Sequence, residues 1–268
     1  FLSSELMFRL TDVVKHLLFI NILMFLASNL FNLTDILALH YPASEKFQPY
    51  QIVTHFFMHG GFAHIFFNMF ALVMFGSALE MRWGAKRFLF FYLACAFGAA
   101  ILHTLYTYWD LSQMQAAIDA FRSNPSYDTF WAFFNDVPLE QLNAGYRQQV
   151  NEISRMLRDS NPSVVQSGVG LMQEYLNFQM NIPIVGASGA IYGLLLAFGM
   201  YFPNAELMLI FLPIPIKAKY FIPILMLIEL FLGFNQYSWD NIAHFAHLGG
   251  ALTGLLLILY WRKIKGEY

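Results

Sequence analysis

A serine, several histidines and an asparagine stand inside stretches that otherwise hold almost no polar groups. Ser188 sits near the start of the apolar run from Ile182 to Phe202, between Gly186 and Gly189 and with Gly193 beyond. Serine attacks a carbonyl only when a nearby base takes its proton, and a histidine near its ordinary pKa is the usual base. His247 in the last apolar run fits that role, and the small residues Gly249, Gly250 and Gly254 after it would let its helix press against the glycines around Ser188. Acyl transfer also needs donors aimed at the oxyanion. His64 and Asn68, four residues apart and so on one helical face, can supply them with the Ser188 amide. Tyr192, one turn past Ser188, is placed to pack on the imidazole. No carboxylate is positioned to orient the histidine, and Glu229, in the fifth run, has no evident partner beyond pairing or snorkelling. The expected unit is therefore a Ser-His dyad.

Each residue also has a plainer reading. A lone buried serine is commonly a helix–helix hydrogen bond, and His64 with Asn68 would serve equally as an interhelical pair worth about 0.6 kcal/mol. His55 and His59, at i and i+4, have ligand spacing, but no His-Glu-x-x-His pattern accompanies them. They and His244 read as hydrogen-bonding residues at the membrane–water boundary. What favours chemistry is that ionisable groups in spanning segments are expensive and mark function by default, and several fall at one depth.

That depth follows from the elements. The 268 residues are 58% hydrophobic and 12% charged, about half the charge of an ordinary soluble chain. Runs of roughly 20 apolar residues lie at about His16 to Leu39, Phe56 to Leu79, Phe88 to Tyr108, Ile182 to Phe202, Tyr220 to Phe234 and Ile242 to Trp261, each long enough to span a bilayer. The second, fourth and sixth run in the same direction, so their N-terminal ends, which carry His64, Asn68, Ser188 and His247, lie under the same face. Pro213 to Lys219 reads as a loop or shallow re-entrant hairpin before the fifth run.

Basic residues set the orientation. Arg9 and Lys15, then Arg82, Lys86 and Arg87, then Lys217 and Lys219, then Arg262, Lys263 and Lys265 share one face, which the positive-inside rule makes cytoplasmic. Asp35, Glu45, Lys46 and Asp240 fall on the other. Both termini are thus expected in the cytoplasm, with the site opening to the extracytoplasmic side. No cleavable signal is expected, because further spans follow the first run. The expected divisions are residues 1–108, spans one to three; residues 109–181, an extracytoplasmic insertion of amphipathic helices; and residues 182–268, spans four to six. In the insertion, Leu142, Tyr146, Val150, Ile153 and Leu157 recur at helical spacing, as do Met114, Ala117, Ile118 and Phe121. At about 70 residues it is expected to lie on the membrane surface or over the helix rims. Net charge of −2 and no long basic run argue against a nucleic-acid partner, and the single Cys95 leaves no disulfide framework or thiolate metal site.

With those residues in place, the chain resembles the rhomboid intramembrane serine proteases. The matching pieces are His64-Ile-Phe-Phe-Asn68; Gly186-Ala-Ser188-Gly189 with Tyr192; and Ala246-His247-Leu-Gly-Gly250 with Gly254, in the family's order and host segments. The resemblance implies an all-α, six-helix bundle interrupted by a helical insertion. It also implies an endopeptidase that cleaves transmembrane-helix substrates after a small residue, where weak helix exposes a peptide bond. By resemblance Ser188 is the nucleophile, His247 its base, His64 and Asn68 the oxyanion donors, and Tyr192 and Gly186 their supports. Lipid and transmembrane substrates are the expected partners; no metal, cofactor or nucleic acid is expected. The alternative is a catalytically silent rhomboid-like protein that binds transmembrane clients, against which the retained Ser188 and His247 argue. A transporter is disfavoured because membrane acids are few and no inverted repeat is visible. Two features depart from the family: Tyr50-Gln51 stands where Trp-Arg is frequent, which touches only the anchoring of the first loop, and the insertion is unusually long.

Overall fold

The structure is a computed structural model that describes residues 10–135, 137–158, 164–209, 212–235 and 242–265. Arg9 and Asp240, used above for orientation, lie outside the described residues.

The first apolar run forms α1 (Asp12–Phe31). Its first-turn amides need outside acceptors, and a residue far along the chain supplies them: Glu80 accepts from the Val13 and Val14 amides, each at 3.0 Å, and from the Thr11 hydroxyl. Asn32, left-handed at φ 52°, ends the helix, and its amide donates back to the Ser28 carbonyl. The following loop is held by Gln51, only 1% exposed. Its side-chain oxygen accepts from the His40 and Gln48 amides, and its nitrogen donates to the Ile36 and Lys46 carbonyls. Gln51 thus anchors the first loop without the Trp-Arg pair.

The second run forms α2 (Phe62–Trp83), with a π turn over Leu72–Gly76, and Gly84 at φ 80° separates it from the next helix. That helix, α3 (Ala85–Ser123), has 39 residues and a length of about 58 Å, roughly twice a hydrocarbon core. One helix therefore carries the chain out of the bundle and forms the first element of the insertion. The rest is α4 (Tyr127–Phe134), α5 (Ala144–Arg158) and α6 (Val165–Met180). Ser126 and Thr129 cap α4 reciprocally. The apolar faces seen in the sequence close on one another: Phe121, Phe130, Phe134, Val150 and Met172 are fully or almost fully buried in a core distinct from that of the bundle. The Tyr146 hydroxyl donates to the Leu171 carbonyl across this core at 2.7 Å.

Helix α7 (Ser188–Tyr201) begins later than the apolar run suggested. A helix from Ile182 was expected; instead residues 182–187 are non-helical, Ile184 pairs with Leu39 as an isolated antiparallel bridge, and Gly186 has φ +121°. This left-handed glycine, whose backbone cannot be part of a right-handed helix, accounts for the late start. With 14 residues α7 extends about 21 Å, so it falls short of a full span, while five other helices among the described residues reach one. It tolerates this because it is enclosed by protein, where non-helical backbone at membrane depth finds partners. After α7 come the antiparallel strands β1 (Glu206–Leu209) and β2 (Leu212–Lys217), then α8 (Ala218–Asn235) and α9 (His244–Lys265). The stretch read as a loop or re-entrant hairpin is a hairpin through β2.

Helices α3, α7 and α9 meet through small residues. A Cβ on Gly250 would lie 1.8 Å from the Gly189 carbonyl oxygen, and one on Gly189 would lie 2.2 Å from the Ala99 Cβ. Backbones touch here, which fixes α7 and α9 relative to one another. Leu23, Phe31, Leu227, Phe231 and Leu256 are exposed, as lipid-facing residues should be.

Candidate active site

Three helix starts converge. Ser188 is the first residue of α7, His247 lies one turn into α9, and His64 and Asn68 occupy the first two turns of α2. Because α7 starts at Ser188, the amides of Ser188, Gly189 and Ala190 have no acceptor within the helix, while the Ile191 amide donates to the Ala187 carbonyl at 3.0 Å.

His247 Nε2 lies 3.0 Å from Ser188 Oγ. The Tyr192 ring stacks on the imidazole, with centroids 4.0 Å apart and planes within 9°. Behind the ring is the group the sequence left unpaired: His247 Nδ1 lies 3.0 Å from Glu229 Oε2. The same oxygen is 2.7 Å from His244 Nδ1, and Glu229 Oε1 accepts from the Tyr192 hydroxyl. Glu229 is 5% exposed. The expectations that no carboxylate faces the histidine, and that His244 only shapes the membrane boundary, are therefore corrected: Glu229 connects α7, α8 and α9. The signal was present, since an acid in an apolar run demands a partner. Helix α8 runs opposite to α9, and Glu229 lies six residues, about 9 Å, before its end at Asn235, which puts it level with the start of α9.

On the other side of Ser188, Gly186 makes room for His64. A Cβ on Gly186 would fall 2.9 Å from His64 Nε2 and Cε1 and 3.6 Å from Ser188 Oγ, and the φ of +121° is one that side-chain-bearing residues rarely adopt. The Gly60 amide donates weakly to His64 Nδ1 at 3.4 Å, an arrangement that suits a neutral ring with its proton on Nε2, the nitrogen beside Gly186. Asn68 is 6% exposed, and its Nδ2 has no acceptor among the described residues. A buried donor without an acceptor is uncommon in a folded interior. His59 packs edge-on to His64 at 5.0 Å, while His55 Nδ1 donates to the Gln51 carbonyl and the His55 carbonyl accepts from the Gly186 amide. A cavity of about 20 Å³, room for roughly one water, is lined by His55, Ala99, Gly186, Ser188, Gly189 and Ala246.

Among the described residues, the donors close enough for a metal are Glu229, His244 and His247, whose ligand atoms lie within 4.8 Å of one another; His55 and His59 form no such group. The 2.7 and 3.0 Å separations are N–H···O distances, so these donors already satisfy each other.

Among the described residues, five helices long and apolar enough to span, with a shorter buried one between them, define a multi-pass membrane protein. The rhomboid domain model matches residues 46–111 and 163–264, which leaves out most of the insertion, and the chain belongs to the rhomboid family. It is similar to Rhomboid-like protein 15 of Arabidopsis thaliana, 41% identical over 61 residues, 23% of this chain and 15% of that protein. It is also similar to Rhomboid protein 1, mitochondrial, of Saccharomyces cerevisiae, 33% identical over 81 residues, 30% of this chain and 23% of the relative. A third relative, RHOMBOID-like protein 6, mitochondrial, of Arabidopsis thaliana, is 34% identical over 59 residues, 22% of this chain and 19% of its own length. The matches thus span less than a quarter of each of these relatives.

Proposed function

We propose that this protein is an intramembrane serine endopeptidase acting on the transmembrane helices of other membrane proteins. The observation that carries the reading is the 3.0 Å contact between Ser188 Oγ and His247 Nε2 at the mouth of a glycine-packed helix bundle. Ser188 Oγ attacks the scissile carbonyl carbon as its proton passes to His247 Nε2, and the carbonyl π electrons move onto oxygen. The Ser188 amide, His64 and Asn68 hold that oxyanion. Collapse expels the amine, which takes the proton from Nε2 and leaves an acyl-serine. Water then attacks the ester with His247 again as base, regenerating the hydroxyl and releasing the acid. The cavity beside Ser188 is of a size to hold that water.

In this reading both termini face the cytoplasm and the site opens on the opposite side, with residues 109–181 outside the membrane beside its mouth. Supporting that placement, Asn181 accepts from Ser44 of the first loop, and Ile184, three residues on, lines the Ser188 cavity. We assign the insertion to substrate selection. Deleting residues 113–174 is expected to change which single-pass substrates are cut, and an unchanged set removes that assignment.

The central test is labelling by a fluorophosphonate probe together with cleavage of a transmembrane substrate in vesicles. The native protein is expected to be labelled and to cut, and Ser188→Ala or His247→Ala to abolish both. A protein that binds clients without labelling or cutting them is the silent relative instead.

A further inference from the structure

Resting on the protease reading, we propose that Glu229 is a positioning residue for His247, so that the working unit is a Ser188–His247–Glu229 chain drawn from three helices, with His244 and Tyr192 holding the carboxylate in place. Three donors converge on its two oxygens: His247 Nδ1 and His244 Nδ1 on Oε2, and the Tyr192 hydroxyl on Oε1. An ionised carboxylate is acceptor-only and has the lone pairs to satisfy all three. A neutral His247 must then carry its proton on Nδ1, because the facing Oε2 offers only lone pairs. Nε2 is thereby left as the acceptor that faces Ser188 Oγ at 3.0 Å.

The opposite tautomer would put a hydrogen between Nε2 and Oγ and leave no base. When Nε2 takes the serine proton, the ring becomes a cation in a site 8% exposed, and Glu229 supplies the counter-charge without itself taking a proton. The second imidazole and the phenol explain how the carboxylate keeps its direction. Each of its oxygens is tied to a helix other than its own, so it cannot rotate away from Nδ1 without breaking both. Tyr192 then serves the base twice, through its ring on the imidazole and through its hydroxyl on the carboxylate behind it.

The test uses the full-length protein in vesicles. Glu229→Gln keeps the shape but replaces one oxygen by an NH2 that cannot accept. Its kcat is expected to fall tenfold or more with KM within threefold of native; a smaller fall in kcat, or a loss carried by KM, overturns the proposal. Ser188→Ala is run beside it: if that variant still cleaves, the protease reading has failed rather than the role of Glu229. Should Glu229→Gln not fold, proton NMR of the native protein decides. A downfield ring N–H resonance that disappears in His247→Ala and persists in His244→Ala supports the proposal, and its absence from the native protein overturns it.

Discussion

Glu80 and Glu229 are both carboxylates buried to 5% exposure inside the bundle, and each collects three hydrogen bonds. Their donors set them apart. Glu80 receives two backbone amides and a threonine hydroxyl at the start of α1, groups with no chemistry of their own, so it joins α2 to α1. Glu229 receives two imidazoles and a phenol, groups that transfer or relay protons, beside a serine. Burial and hydrogen-bond count alone would class the two together; donor identity separates a fastener from part of a site.

Variants can break or sharpen that contrast. The largest effect is expected from Gly250→Ala, which touches neither glutamate. Its Cβ would sit 1.8 Å from the Gly189 carbonyl oxygen, so α9 must move off α7 and take His247 from Ser188. Substrate cleavage and probe labelling should vanish even where the protein still elutes as a folded species. Retained labelling would mean that the backbone contact does not set the catalytic distance.

Glu80→Gln comes next. It places an NH2 against amide donors, and losing hydrogen bonds to a charged acceptor should cost about 2 to 3 kcal/mol in a denaturation measurement. The kcat of the folded fraction is expected to be native. A variant equally stable but slow would erase the distinction from Glu229.

Tyr192→Phe keeps the ring stacked on His247 and removes only the hydroxyl that reaches Glu229. Its kcat should fall by about tenfold, equivalent to about 1.4 kcal/mol, with stacking and fold intact. The smallest effect belongs to the insertion. Burial, followed by the nearby charge of Glu174, pushes the Tyr146 phenol above its ordinary range, so it remains a donor to Leu171 at any working pH. Tyr146→Phe should lower stability by about 1 kcal/mol and leave the rate of probe labelling unchanged.

Much of this was legible in the residues. Apolar run lengths gave five of the six spans but overstated the fourth, and the shared direction of the second, fourth and sixth runs brought His64, Asn68, Ser188 and His247 to one end of the bundle. The glycines after His247 gave the close approach of α9 to α7. Glu229 was visible as an oddity but not as a partner, because nothing local says which imidazole an acid on an antiparallel helix will meet. The late start of α7 was hidden for a similar reason: Ile182 to Phe202 is predominantly apolar, and hydropathy does not distinguish a helix from buried extended chain.

By itself, the sequence determined which segments are apolar enough to enter a membrane and which polar groups they carry, since length and periodicity are properties of each segment alone. The tertiary structure alone decided that Oε2 of Glu229 would serve two histidines, that Gly186 would turn left-handed under His64, and that α3 would run on to close a separate aromatic core. Those outcomes depend on how far apart helices settle and how they cross, which is set by packing between residues remote in the chain.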